Sequence, residues 1–250
     1  MSKKWKHAII VGASGGIGEA IVYELAKQGI SVGIIARRGD ELQRVAANAG
    51  AISNQSKFLP FVHDVTHYSE VPALLQEITK QLGGLDLIIY NSGIMPLVGK
   101  TEYNFETDKS ILNTNILGAF AWLNEAAMRF QNARSGTIVG ISSIAGERGR
   151  KGMPAYMTSK AALSTYLESL RNRLAQYGVK VVTIKPGVID TNMSKDSPNK
   201  LWLMSPEKAA KEIVAAAAKG SVVKYVPFQW RFVSMVLHLL PSFIFRRLNF

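Results

Sequence analysis

The ten residues VGASGGIGEA, Val11–Ala20, follow a short apolar run, HAIIVG at positions 7–12, and lead into a segment of helical period at 16–28. Glycines at 12, 16 and 18 let the backbone turn sharply and come close to another group. The N–H groups and dipole of the helix that follows favour an anion there. A glycine cluster alone marks any tight turn. Set between a strand and a helix, it reads as a loop for the pyrophosphate of a dinucleotide, with Gly12, Ser14, Gly16, Ile17 and Gly18 as its binding residues.

Downstream the same alternation repeats. Runs rich in β-branched residues at 31–36, 57–62, 85–90, 136–141 and 180–185 read as strands, with a seventh at 222–226. Helices are expected between them at about 40–48, 69–82, 107–131 and 154–177, and at 205–219, where Ser205 is the N-cap, Pro206 opens the first turn and Gly220 is the stop. This order predicts an α/β, Rossmann-like, doubly wound parallel sheet of about seven strands with helices on both faces. Residues 1–226 would form the dinucleotide-binding catalytic domain, and 227–250 a C-terminal apolar and basic extension.

The 250-residue chain, with 47% hydrophobic and 19% charged residues, suits one globular domain. It has no cysteine, which excludes a disulfide framework, a thiolate nucleophile and a cysteine-ligated metal, and fits a cytoplasmic setting. The beginning is basic, but its apolar run is too short for a signal peptide, so Lys3, Lys4 and Lys6 read as a solvated end before the first strand. The net charge of +12 is spread without a long basic block, and no nucleic-acid motif accompanies it. No nucleic-acid partner is expected.

The second strand ends in ARRGDEL, 36–42. A site for the ribose hydroxyls of NAD would place an acid there. Arg37 and Arg38 stand in its place, and a guanidinium grips the additional phosphate of NADP, which an acid would repel. A solvated loop is the plain alternative. The expected cofactor is NADP(H), ahead of NAD(H).

GASGGIG, YNSG at 90–93, NTNILG at 113–118, ISSIAG at 141–146, YMTSK at 156–160 and KPGVIDT at 185–191 occur in that order, each at a strand end or on the next helix. With these motifs the chain resembles the short-chain dehydrogenase/reductase family from about residue 6 to 225. The resemblance implies a catalytic tetrad of Asn115, Ser143, Tyr156 and Lys160. Ser143 is preferred to Ser142 because it lies thirteen positions before Tyr156, which leaves Ser142 a structural role. It also implies cofactor contacts from Asp64 and Val65 after the third strand, Asn91 and Gly93 after the fourth, and Pro186, Gly187, Val188 and Thr191 after the sixth, with Asn192 an alternative to Thr191. Tyr90 and Ser92 depart from the family's usual Asn-Asn-Ala-Gly.

In that chemistry Tyr156 gives a proton to the carbonyl oxygen, and Ser143 holds the same oxygen. Lys160, one helical turn from Tyr156, favours the phenolate and holds the ribose, as Tyr156 itself also borders the cofactor. Asn115 would hold a water, and no metal is called for. The implied activity is hydride transfer between NADP(H) and a small ketone or secondary alcohol. A reductase of 3-oxoacyl groups on acyl carrier protein is the alternative, and a catalytically silent sensor or scaffold the rival from another class.

Loops at 94–100, 147–153 and 192–204 would shape the substrate side. Met95, Leu97, Met153, Leu201, Trp202 and Met204 suggest an apolar pocket, and Arg148, Arg150 and Lys151 a meeting point for an acidic group. Beyond 226 the chain is apolar and basic. Read as a helix from about 228 and broken by Pro241, it carries one polar stripe of Arg231, Ser234 and His238. From 228 to 245 it falls short of a comfortable bilayer span and carries Arg231, His238 and Pro241, leaving a pocket cover, a subunit contact or a peripheral membrane anchor, with burial against protein ranked first. The resemblance also implies a homodimer or homotetramer built through the long helices flanking the fifth strand.

Overall fold

The computed structural model describes residues 5–99, 101–195 and 201–247. Lys3 and Lys4, the end of the 94–100 loop, the middle of the 192–204 loop and the last three residues of the tail lie outside them. Seven strands, β1 (His7–Val11), β2 (Ser31–Ala36), β3 (Phe58–Val62), β4 (Leu87–Tyr90), β5 (Thr137–Ile141), β6 (Lys180–Pro186) and β7 (Val223–Val226), form one parallel sheet in the order β3-β2-β1-β4-β5-β6-β7. The order reverses between β1 and β4, and the crevice outside their carboxyl ends is where such sheets bind ligands. β4 and β5 are buried along their whole length, which is why they read as unbroken apolar runs rather than alternating ones.

The helices are α1 (Gly16–Ala26), α2 (Gly39–Ile52), α3 (Val71–Leu82), α4 (Phe105–Leu112), α5 (Gly118–Ala133), α6 (Pro154–Leu174), α7 (Pro206–Lys219), α8 (Trp230–Leu239) and α9 (Ser242–Phe245). One core cluster joins Ile10, Ile34 and Val182 of the sheet to Leu25, Leu42 and Ile213 on α1, α2 and α7. The other joins Ile9, Ile88 and Ile138 to Ile78, Trp122 and Leu167 on α3, α5 and α6. Helices therefore cover both faces. The capping expected for α7 is present: the Ser205 side chain accepts from the Lys208 N–H, and Gly220 closes the helix at φ +75°.

The helix expected over 107–131 is interrupted. Between α4 and α5 the backbone makes a π-helical turn, Asn113–Leu117. Two tyrosine hydroxyls bind its carbonyls: Tyr90 donates to Thr114 O at 2.7 Å and Tyr68 to Asn113 O at 3.2 Å. A π-turn holds an extra residue, and such turns gather at functional sites; this one carries Asn115. Gly118 leaves the space Tyr90 needs, since a Cβ there would lie 2.6 Å from its hydroxyl oxygen. No helix among the described residues is long and apolar enough to cross a membrane.

Candidate active site

The carboxyl ends of β1, β2, β4, β5 and β6 open onto one pocket of about 1030 Å³, large for a small-molecule site and roomy enough for a dinucleotide beside a substrate. At its β1 end Gly12 sits at φ +91° and donates to Ile35 O at 2.8 Å, and a Cβ there would lie 2.6 Å from Ser92 N. Gly16 is also left-handed, at φ +57°, and a Cβ there would lie 3.0 Å from the Thr191 methyl. Asn91 holds the loop from β4, its amide donating to Gly12 O at 2.7 Å. Ser14, Gly16 and Ile17 line the pocket where α1 begins, and α1 presents its free N–H groups there. Gly18 works from behind: a Cβ would meet Gly12 O at 2.1 Å, so its bareness lets α1 pack on the loop. The cradle fits the pyrophosphate of a dinucleotide.

At the end of β2, Arg38 donates through Nε and Nη2 to Ser14 Oγ, at 3.2 and 2.9 Å, and through Nη2 to Ser14 O at 2.9 Å. Both Arg37 and Arg38 line the pocket. Arg37 lies 3.8 Å from Asp64, whose other oxygen accepts from the N–H and hydroxyl of Thr66. Burial pushes the Asp64 carboxyl up, but these two bonds and Arg37 outweigh it and hold it below its usual range. Asp64 stops short of the pocket wall, which its neighbour Val65 supplies. Behind the two arginines a further one, Arg44, forks onto Glu19 at 2.7 and 3.0 Å. Arg44 was outside the motif pattern, and its position on the exposed face of α2 gave no signal.

The tetrad converges from three elements. Tyr156 and Lys160 share a face of α6, both buried, with the Lys160 Nζ 5.7 Å from the centre of the Tyr156 ring. Lys160 donates to Ile141 O at 3.0 Å, which fixes it against the end of β5. Ser143, two residues on, accepts from Ala145 N at 3.1 Å and caps a short 3₁₀ turn, Ile144–Gly146. That turn packs on α6 because Gly146 has no side chain: a Cβ would come within 2.7 Å of Lys160 C. Ser142 faces away, bonding Lys160 O and Ser164 Oγ at 2.8 Å each, and ties β5 to α6.

Asn115 is fully buried and does not reach the pocket wall. Its amide nitrogen donates to Ile94 O at 3.1 Å and to Ser159 Oγ at 3.0 Å, and its oxygen accepts from Ile94 N at 2.8 Å. Those bonds use both amide hydrogens and one of the oxygen's two lone pairs, and they hold the side chain in place. Asn115 fixes the strand end at Gly93 and Ile94 beside Lys160.

Burial pushes the Tyr156 phenol up, and the Ser143 hydroxyl and Arg150 guanidinium pull it partly back. Burial also brings Lys160 down, to about 8. The cation that faces the phenol within the protein is thus Arg150 as well as the expected Lys160, because the 147–153 loop folds over the site. Arg150 carries no ion pair or side-chain hydrogen bond among the described residues, and burial lowers it from its ordinary value.

Pro186, Gly187, Val188 and Thr191 close the pocket after β6, with Thr191 capping a short turn through Ser194. The apolar lining is Met95 and Met153, which pack with Tyr156, together with Leu201 and three residues of α8: Trp230, Val233 and Leu237. Trp230 lies directly over Gly187, where a Cβ would be 1.8 Å from its Nε1, and that buried N–H has no hydrogen-bond partner among the described residues. Nothing in the motif spacing singles it out, since it lies beyond the matched pattern.

The tail is clasped by the loop after Ser143. Glu147, its side chain 3% exposed, binds Lys185 at 2.7 Å and His238 at 3.2 Å and accepts from Tyr225 at 3.0 Å; Tyr225 also shares a 2.9 Å bond with Ser234. Arg148 donates to Leu237 O and Leu240 O at 2.6 and 2.5 Å, capping α8, and lies 4.0 Å from the Phe245 ring centre. Arg148 is therefore held by the tail rather than offered to an acidic group, because the end of α8 presents carbonyls that need a donor. The expected polar stripe turns inward at Ser234 and His238. Burial of the tail's apolar side chains, ranked first from the sequence, is met on the pocket side alone.

The fold and this constellation define an oxidoreductase acting on CH–OH groups with a nicotinamide cofactor. The family model described as short chain dehydrogenase matches residues 6–202, and the chain belongs to that family. An uncharacterized oxidoreductase of Myxococcus xanthus is 30% identical over 242 residues, covering 96% of this chain and 95% of the relative. The crystal structure of a short-chain type dehydrogenase/reductase from Mycobacterium marinum superposes with a TM-score of 0.80 at 28% identity, covering 89% of this chain and 95% of the other. A tyrosine-to-phenylalanine variant of ElxO, solved with NADPH bound, gives 0.80 at 25% identity over 89% of this chain and 97% of its own.

Proposed function

We propose that the protein is an NADP(H)-dependent carbonyl reductase acting on an apolar ketone, with Tyr156, Ser143 and Lys160 as its catalytic residues. The observation that carries this reading is that Ser143, Tyr156 and Lys160 line the same pocket as the glycine loop and the Arg37–Arg38 pair. When bound, the cofactor supplies the hydride for reduction and accepts it in the reverse direction.

The chain's own residues handle the proton. Tyr156 faces the substrate oxygen and gives it a proton, and Ser143 donates a second hydrogen bond to the same atom. A phenol pushed up by burial stays proton-loaded at neutral pH, which suits reduction; the oxidative direction needs the phenolate and should gain as pH rises. Lys160 borders the ribose, and Asn115 acts through Ile94 and Ser159. Gly12, Ser14, Gly16 and Ile17 hold the pyrophosphate, with Gly18 behind them, and Val65, Asn91, Gly93, Pro186, Gly187, Val188 and Thr191 line the rest. Arg37 and Arg38 take the additional phosphate; Arg38 keeps guanidinium N–H groups beyond those on Ser14, and Asp64 orients Arg37.

Met95, Met153, Leu201, Val233 and Leu237 favour an apolar substrate, and the Trp230 N–H and Arg150 guanidinium favour one with a further acceptor group. A carrier-bound 3-oxoacyl substrate would find Arg148 already held by the tail and Arg150 still facing the pocket, and a silent sensor has no use for Tyr156 and Ser143. We place the protein in the cytoplasm as a homodimer or homotetramer through α5 and α6; exposed Leu112, Leu117 and Met128 beside that face support the pairing.

The deciding experiment is Tyr156→Phe assayed over a panel of ketones. NADPH should bind as before, while turnover falls by about 10²–10⁴-fold or more; turnover near that of the unchanged protein would reject the mechanism. In parallel, Arg38→Glu should weaken NADPH by about 10–100-fold and leave NADH within a few-fold. Equal losses for both cofactors would remove Arg38 from phosphate recognition.

A further inference from the structure

Helix α8 is apolar on two opposite sides. Trp230, Val233 and Leu237 face the pocket, while Phe232, Met235, Val236 and Leu239, at helical spacing, face outward. Leu239 is 75% exposed and Phe232 56%, and Phe243 and Ile244 of α9 extend the outward stripe. The inward polar contacts hold it in that orientation: Ser234 bonds Tyr225, His238 meets Glu147 and Arg148 caps the helix. An ordinary surface helix turns its apolar stripe inward and polar residues outward; α8 presents a second apolar stripe outward. The patch continues onto the pocket rim through exposed Trp202, whose ring stands edge-on to Trp230 at 5.5 Å, and Leu203.

The charge that the tail itself carries has one sign, while Asp190 and Glu207 stand on the rim side. The sequence has no acidic residue after Glu212, whereas Arg231, Arg246 and Arg247 flank the stripe and are exposed. A second copy pairing through this patch about a two-fold axis would bring the same cations together with no carboxylate from the tail to meet them. An anionic lipid surface meets both properties at once, accepting the apolar side chains below its headgroups and offering phosphates to the arginines.

We propose that α8, α9 and the 202–203 rim dock the protein on an anionic bilayer surface, lying in the interface without crossing it. The docking is independent of which carbonyl is reduced, and its test uses no turnover, so failure here would leave the catalytic reading standing.

The test is flotation of the full-length protein with vesicles of phosphatidylcholine alone and of phosphatidylcholine mixed with phosphatidylglycerol. Binding to the mixed vesicles, little to the neutral ones, and release by raised salt are expected. Leu239→Ser with Phe243→Ser, and separately Arg246→Glu with Arg247→Glu, should each weaken partitioning by about ten-fold or more while NADPH binding is unchanged. The salt titration of the unaltered protein gives the same answer if a variant fails to fold. The proposal is overturned if the unaltered protein stays with neither vesicle, if binding ignores salt or both pairs of substitutions, or if lipid-free protein is a dimer that Leu239→Ser splits.

Discussion

Lys160 carries a cation into a site where burial has moved its pKa from an ordinary 10.5 to about 8. The unfolded chain binds that proton more tightly, so between about pH 8 and 10.5 folding becomes easier as pH rises. At neutral pH the buried ammonium costs about 3 kcal/mol, partly offset by its bond to Ile141 O. Lys160→Met removes the titration. Relative to that variant, the unaltered protein should gain about 2 kcal/mol of stability from pH 7 to about 9.5 by denaturant unfolding; parallel stabilities would refute it. Most residues that line this pocket were named from the sequence, because the family motifs stand at particular strand ends. Arg150 was legible only as one of three basic loop residues that could meet an acidic group, and Trp230 was not legible. A loop arginine and a tail tryptophan have no spacing rule, and their place is set by how 147–153 and α8 fold back over the pocket.

Among the elements, the π-turn shows most directly how tertiary contacts override a helical pattern. Sequence period predicted continuous helix from 107 to 131, and neither Tyr68 nor Tyr90 announces that it will capture a carbonyl some distance along the chain. Tyr90 is wholly buried, and Tyr90→Phe leaves Thr114 O without its partner. A loss of about 1–3 kcal/mol in denaturant unfolding is expected, together with a fall in kcat as Asn115 loses its setting. Unchanged stability and turnover would show that the turn stands without its tyrosine. By contrast α7 was readable to within a residue, since its cap, its first-turn proline and its closing glycine are all local signals.

For the whole molecule, the parallel sheet of about seven strands and its helical layers followed from the βαβ alternation, because parallel strands need helical crossovers. The tail's orientation was illegible: its apolar residues fit a buried helix equally well, and contacts to Glu147, Arg148 and Tyr225, the first two far earlier in the chain, hold one face inward. The same clasp ties α8 to the loop that begins at Ser143, so one rigid helix forms a wall of the reaction chamber and the surface that meets lipid. Two equilibria then share one moving part. Whatever factor a bilayer applies to the affinity for substrate, substrate must return to the affinity for the bilayer, and the protein's residence on a membrane becomes a thermodynamic reading of whether its chamber is full.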